Sequence, residues 1–151
     1  AVVIGDVHIG AETGVWFGVV IRGDVNSIRI GSRTNIQDGT IIHVTRKTGP
    51  TVIGSNITIG HQVLLHACTL EDDCFVGMGA TIIDFAVVES GGFVAAGAVL
   101  TPKKRVPKGQ MLGGNPAKYM RDLTPEESAF IPISAENYVK HVHEYKAQLG
   151  K

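Results

Sequence analysis

The chain has 151 residues, 14 Lys and Arg against 14 Asp and Glu, 44% hydrophobic residues, 6% aromatics and 19 Gly. Zero formal charge removes the electrostatic footprint of a nucleic-acid binder, and no apolar run is long enough to span a bilayer. One domain with a thin, aliphatic core is expected, in the cytoplasm, with no nucleic-acid or membrane partner.

The chain begins without Met, and Val3-Ile4-Gly5 already reads as part of a repeat, so the start reads as processed or cut. No signal peptide is visible. From Ile30 a period of six sets in. Ile30, Ile36 and Ile42 are followed, after a short interruption, by Ile53, Ile59 and Leu65. A one-residue slip leads to Leu70, Val76, Ile82, Val88, Val94, Leu100, Val106 and Leu112. A fixed short period of this kind is the signature of a solenoid. It does not track the 3.6-residue turn of a helix.

Two residues before each aliphatic position stands a small or β-branched residue, as at Thr34, Thr40, Ile57, Val63, Cys68, Cys74, Ala80, Ala86, Gly92 and Ala98. Residues two apart on a strand share a face. Each unit therefore offers one large and one small inward side chain. Gly31, Gly54, Gly60 and Gly77 directly follow large positions and are expected to serve sharp backbone turns. The two cysteines fall on inward positions of consecutive units and read as reduced core residues.

After Leu112 the composition changes. Gly113-Gly114-Asn115-Pro116 breaks the repeat. The expected organisation is a solenoid over 1–117 and a C-terminal helical segment of the same domain over 118–151. Thr124-Pro125-Glu126-Glu127 reads as a helix start, with Thr as N-cap, Pro at the first position and Glu three residues after the cap. Pro132 is expected to interrupt that helix. A second stretch places Tyr138, Val142, Tyr145 and Leu149 on one helical face, expected to pack along the solenoid.

The register then sorts the histidines. With three faces per coil, Ile42 and Leu65 fall on the same face, one coil apart. His43 and His66 follow them directly. Both are expected to point outward on neighbouring strands, close enough to share a metal ion. His61 belongs to the unit of Ile59, on another face and at a corner. It is expected to join the other two only across a symmetric interface, which a threefold assembly would build three times. His8, His141 and His143 have no such register and read as surface residues.

The hexapeptide period resembles that of left-handed parallel β-helix proteins, in which three hexapeptides make one triangular coil. Arg22-Gly23-Asp24, Gln37-Asp38 six residues before His43, the spacing of His61 and His66, and the closing Gly114-Asn115-Pro116-Ala117-Lys118 together resemble the γ-class carbonic anhydrase family. The resemblance runs from about Ile4 into the C-terminal helix. It implies a mainly β fold, a left-handed parallel β-helix with a C-terminal α-helix packed along it. It also implies a homotrimer with metal sites at subunit interfaces. His43 and His66 of one subunit and His61 of its neighbour would bind Zn²⁺, with Fe²⁺ and Co²⁺ as alternative metals. Gln37 would hydrogen-bond the metal-bound hydroxide. Arg22, Asp24 and Asp38 would form a polar network across the interface. The implied activity is reversible hydration of CO₂ to bicarbonate.

Two departures stand out. The best-characterised branch of that family carries a glutamate where this chain has Val25. It also carries an acidic loop where this chain has Thr45-Arg46-Lys47-Thr48-Gly49-Pro50. The chain thus resembles the shorter branch without proton-shuttle glutamates, and weak hydration is expected. The competing readings are an acyltransferase using acyl-CoA, a metal-dependent hydrolase of thioesters on the same site, and a structural trimer.

Overall fold

The structure, a computed structural model, describes residues 1–150. In chain order the strands are β1 (Val2–Ile9), β2 (Gly14–Val15), β3 (Val20–Ile30), β4 (Asn35–Ile36), β5 (Ile41–His43), β6 (Thr51–Ile53), β7 (Thr58–Ile59), β8 (Leu64–His66) and β9 (Thr69–Leu70). They continue as β10 (Phe75–Val76), β11 (Thr81–Ile82), β12 (Val87–Val88), β13 (Phe93–Val94), β14 (Val99–Leu100), β15 (Arg105–Val106), β16 (Gln110–Gly113) and β17 (Lys118–Asp122). One helix, α1 (Pro125–Gln148), follows.

These strands stack into three parallel ladders around one axis. The first runs from the start of β3 through β5, β8, β11 and β14. The second runs from the end of β3 through β6, β9, β12 and β15. The third runs from β2 through β4, β7, β10, β13 and β16, and antiparallel β17 closes it. Strand β3 serves two ladders because it bends through a corner. Its Val20 and Ile21 pair with Ile41 and Ile42, while Ile28 to Ile30 pair with Thr51 to Ile53. The expected parallel β-solenoid with a helix along it is the observed architecture.

The period of six is the core. Every aliphatic residue of the repeat from Ile30 to Leu112 is at most 2% exposed. In each ladder like stacks on like, as in Ile21, Ile42, Leu65, Ile82 and Leu100 on the first face. Burying one such side chain contributes about 1.5–3 kcal/mol. Cys68 and Cys74 are free and buried in this core. Burial pushes the Cys68 thiol up to about 12 and raises that of Cys74 as well.

The glycines after the large positions have a different reason from the expected turn. Gly31, Gly54, Gly60 and Gly77 have no left-handed backbone. A Cβ at Gly60 would lie 2.7 Å from the Met78 nitrogen, and one at Gly77 2.5 Å from the Ala96 nitrogen. The next coil passes too close for a side chain. The left-handed residue comes two positions later, at Arg33 (φ 57°), Asn56 (φ 57°), Gln62 (φ 56°) and Gly79 (φ 68°).

Helix α1 opens as expected. The Thr124 hydroxyl accepts from the Glu127 N–H at 3.2 Å, and the Glu127 carboxylate accepts from the Thr124 N–H at 2.9 Å. Arg121 grips the same carboxylate with both guanidinium nitrogens, at 2.6 and 2.7 Å. Together they hold the Glu127 carboxyl down at about 2, with the Arg121 hydrogen bonds as the largest cause. The expected interruption at Pro132 does not occur. The helix runs through it, with Pro132 itself exposed. Proline there removes one helical hydrogen bond, but Ile131, Ser134, Ala135 and Val139 are buried on both sides of it. Tertiary packing of one face outweighs the local penalty. That buried face is one step round from the expected one. Tyr138 and Val142 lie at its edge, and Leu149 is exposed. Tyr145 packs its ring edge-on against Trp16, with centroids 5.3 Å apart.

Candidate metal centre

The first ladder delivers two imidazoles to one spot. Strands β5 and β8 pair in register, so His43 stands directly beside His66. The five extra residues of this coil are absorbed by the loop after His43, where Thr45 and Gly49 bridge back on each other. The ring centroids of the two histidines are 5.3 Å apart. Two imidazoles on one tetrahedral Zn²⁺, with Zn–N about 2.0–2.1 Å, place their centroids roughly 5 Å apart. The pair therefore has the spacing that a shared ion needs.

Each ring has a carboxylate beside one nitrogen. Asp84 lies 2.7 Å from His66 Nδ1, which leaves Nε2 open. Asp38 stands 3.1 Å from His61 Nδ1, close but not aligned as a hydrogen bond. At His43 the engaged nitrogen is Nε2, which donates to Asp24 at 2.8 Å and leaves Nδ1. Arg22 pairs with the other oxygen of Asp24. The His43 hydrogen bond, reinforced by Arg22, holds the Asp24 carboxyl below its ordinary range. Burial pushes the Asp84 carboxyl up, but hydrogen bonds from Thr45 and His66 outweigh it and leave it lowered. Carboxylates on the second nitrogen of metal-binding histidines orient the ring and fix its tautomer. A donor set of three imidazoles fits a divalent cation with a position left over for water.

His61 is elsewhere in the chain. It follows β7, on the third ladder, at a corner whose next residue, Gln62, is left-handed. Among the described residues no three His, Cys, Asp or Glu side chains of one chain converge on a single point. His43 and His66 are brought together with Arg22 and Asp24. His61 is brought together with Asp38 and, across one groove, with Gln37.

Gln37 is 5% exposed and its amide orientation is fixed. Asn35 Nδ2 lies 3.3 Å from the Ile57 carbonyl and 3.0 Å from the Thr58 hydroxyl. A carbonyl only accepts, so Asn35 must turn its NH₂ that way and its Oδ1 towards Gln37. Gln37 then donates through Nε2 at 2.9 Å, which leaves its Oε1 as the free acceptor. The chain of bonds ends in the helix, where the Thr58 and Ser134 hydroxyls are 2.8 Å apart. The groove beside it, about 400 Å³, is lined by His61, Phe75, Met78, Phe93, Phe130 and Tyr138 among others.

Asn35, Thr58, Ser134 and Asp84 were not singled out from the sequence. Asp84 had a readable signal, since it lies eighteen residues, one coil, after His66. Ser134 had none, because its role depends on how the helix docks.

Fold and side chains together define a hexapeptide-repeat β-solenoid carrying a pair of adjacent imidazoles on one face. No family model matches the chain. The carbonic anhydrase of Geobacillus kaustophilus is 40% identical over 145 residues, which cover 96% of this chain and 79% of that protein. The chain belongs to the γ-class carbonic anhydrase family. Gamma carbonic anhydrase 1, mitochondrial, of Arabidopsis thaliana is 51% identical over 156 residues, covering all of this chain and 57% of that protein. The chain thus spans a little over half the length of its Arabidopsis relatives. Among solved structures, a hexapeptide transferase family protein from Anaplasma phagocytophilum superposes with a TM-score of 0.91 at 48% identity, covering 95% of this chain and 84% of that one.

Proposed function

We propose that this chain forms a homotrimer that hydrates CO₂ reversibly to bicarbonate at a divalent metal, Zn²⁺ by donor type, held between subunits. The single observation that carries the reading is the in-register His43–His66 pair at 5.3 Å. The third ligand would be His61 of the neighbouring subunit. Ile41 and Leu64, which precede the two histidines, are paired, outward and exposed. Such an apolar row supports an interface on this face.

When bound, the metal lowers the pKa of a water to about 7 and so supplies hydroxide at neutral pH. The chain's own residues then divide the work. His43, His61 and His66 hold the cation through neutral nitrogens. Gln37, held through its Nε2 by Asn35, would offer its Oε1 as an acceptor to orient the water that the metal would activate. Arg22 restrains Asp24, which restrains His43. The apolar groove beside His61 offers CO₂ a site with few competing polar groups. Val25 is partly buried against the core and carries no proton. Buffer must therefore take the proton that each turnover releases. Two free, buried thiols suit a reducing compartment, as the cytoplasmic expectation requires.

Metal analysis of the purified protein with stopped-flow CO₂ hydration at two buffer concentrations tests the reading. Bound metal and a low turnover that rises with buffer are expected. A metal-loaded protein without hydration at any buffer concentration would leave the thioester hydrolase or structural readings. A metal-free protein that transfers acyl groups from acyl-CoA would replace it with the acyltransferase.

A further inference from the structure

Asp84 belongs to none of the motifs that mark the metal site, yet it touches the site from the coil above. It follows β11, and its backbone carbonyl accepts from the Lys103 N–H at 3.0 Å, which fixes it to the next coil. One carboxylate oxygen lies 2.7 Å from His66 Nδ1. The other accepts from the Thr45 hydroxyl at 2.5 Å. Thr45 in turn is tied down. Its backbone pairs with Gly49, and its carbonyl accepts from the Asn26 amide at 3.1 Å. Both the Asp84 and His66 side chains are about a third exposed, at 32% and 30%.

We infer that Asp84 is a positioning residue for His66, holding its ring as the Nδ1–H tautomer so that Nε2 faces the metal, with Thr45 clamping the carboxylate. The inference rests on the metal reading proposed above. A carboxylate with both oxygens engaged has one orientation, and an imidazole donating to it has one tautomer. Two adjacent histidines without such partners would each sample both tautomers and two ring flips. Asp84 also joins the second histidine to the loop that follows the first. The pair and the loop thus form one unit.

The test uses the whole protein with Co²⁺ as the probe. Competition titration should show that Asp84→Ala binds Co²⁺ 10–100-fold more weakly than wild type, the usual size of such second-sphere losses. Asp84→Asn keeps an acceptor for His66 and should recover most of that loss, and Thr45→Val should fall between. Nitrogen-15 NMR of the apo protein should show His66 protonated at Nδ1 in the wild type and as a tautomer mixture in Asp84→Ala. Unchanged Co²⁺ affinity in Asp84→Ala, with only a lower melting temperature, would overturn the inference and leave the metal reading intact. So would a wild-type His66 protonated at Nε2. A wild type that binds no Co²⁺ while His66 is still held as Nδ1–H would sink the metal reading and keep the tautomer assignment.

Discussion

Thr58 and Ser134 lie 76 residues apart in the chain and share a 2.8 Å contact between their hydroxyls, both out of reach of solvent. This contact ties the C-terminal helix to the strand beside Gln37. It makes helix docking part of the site. Thr58→Val should destabilise the protein by about 1–3 kcal/mol, because it removes one of the two acceptors of the Asn35 amide and the buried partner of the Ser134 hydroxyl. Ser134→Ala should cost about 1 kcal/mol. Both should lower turnover through loss of Gln37 orientation, while metal content stays at the wild-type level. Reduced metal content in either variant would contradict this division of roles.

A ligand set split between subunits, as proposed above, predicts complementation between defective chains. His43→Ala and His61→Ala should each lose metal, although the residues lie on different ladders. Co-refolding the two variants should restore part of the metal binding. A subunit with an intact His61 would then meet a neighbour with intact His43 and His66. Metal recovery in the mixture is the measurement, and no recovery above the sum of the single variants would refute an intersubunit site.

Glu127 predicts an acid limit for the helix start. Its carboxyl is lowered from 4.5 to about 2 by Arg121 and the Thr124 cap. A lowered folded value means that the ion pair stabilises the native state fully above the unfolded value. That contribution is lost as pH falls from about 4.5 to about 2. In Glu127→Gln, stability between pH 6 and pH 3 should vary less than in wild type. Equal pH slopes in the two proteins would show that the pair contributes nothing.

The two kinds of glycine can be separated by substitution. Gly77→Ala drives a methyl into the backbone of Ala96 and should cost upwards of about 2 kcal/mol, in the overpacking range. Gly79 has open space within 4 Å and a left-handed backbone. Gly79→Asn should cost no more than about 1 kcal/mol, since Asn tolerates that region. Thermal melts of both variants decide the point.

Pro132 sits exposed in the middle of a helix that tertiary packing holds together. Pro132→Ala should stabilise the protein, by about 1 kcal/mol or more, because it returns a helical hydrogen bond and removes a steric conflict. A lower melting temperature in the variant would indicate that the proline itself is needed for docking.

Most of the scaffold was legible in the sequence. A period of six names most inward residues from Ile30 to Leu112, because a solenoid core is one-dimensional and each rung repeats the last. It missed Val19, Ile21 and Val44, which lie before the repeat sets in or within its interruption. The same register placed His43 beside His66. What the period could not carry was anything set by a neighbour off the ladder. Pro132 reads as a helix breaker because its surroundings are invisible in the chain. Gly60 reads as a turn residue because the closeness of Met78 in the next coil is a three-dimensional fact. Asp84 falls between. Applying the coil length to polar positions, rather than to the aliphatic ones alone, leads from His66 directly to it.

The loop after His43 pinches shut on itself where Thr45 and Gly49 bridge, so the strands on either side keep their registers whatever stands at its tip, residues 46–48. That tip is therefore an insertion point near the two imidazoles, while Thr45 keeps its hold on Asp84. Length and charge can be added there without disturbing a single rung of the core. A lineage could acquire or discard proton-carrying groups at this position by changing the loop alone, with ligands and scaffold left where they were.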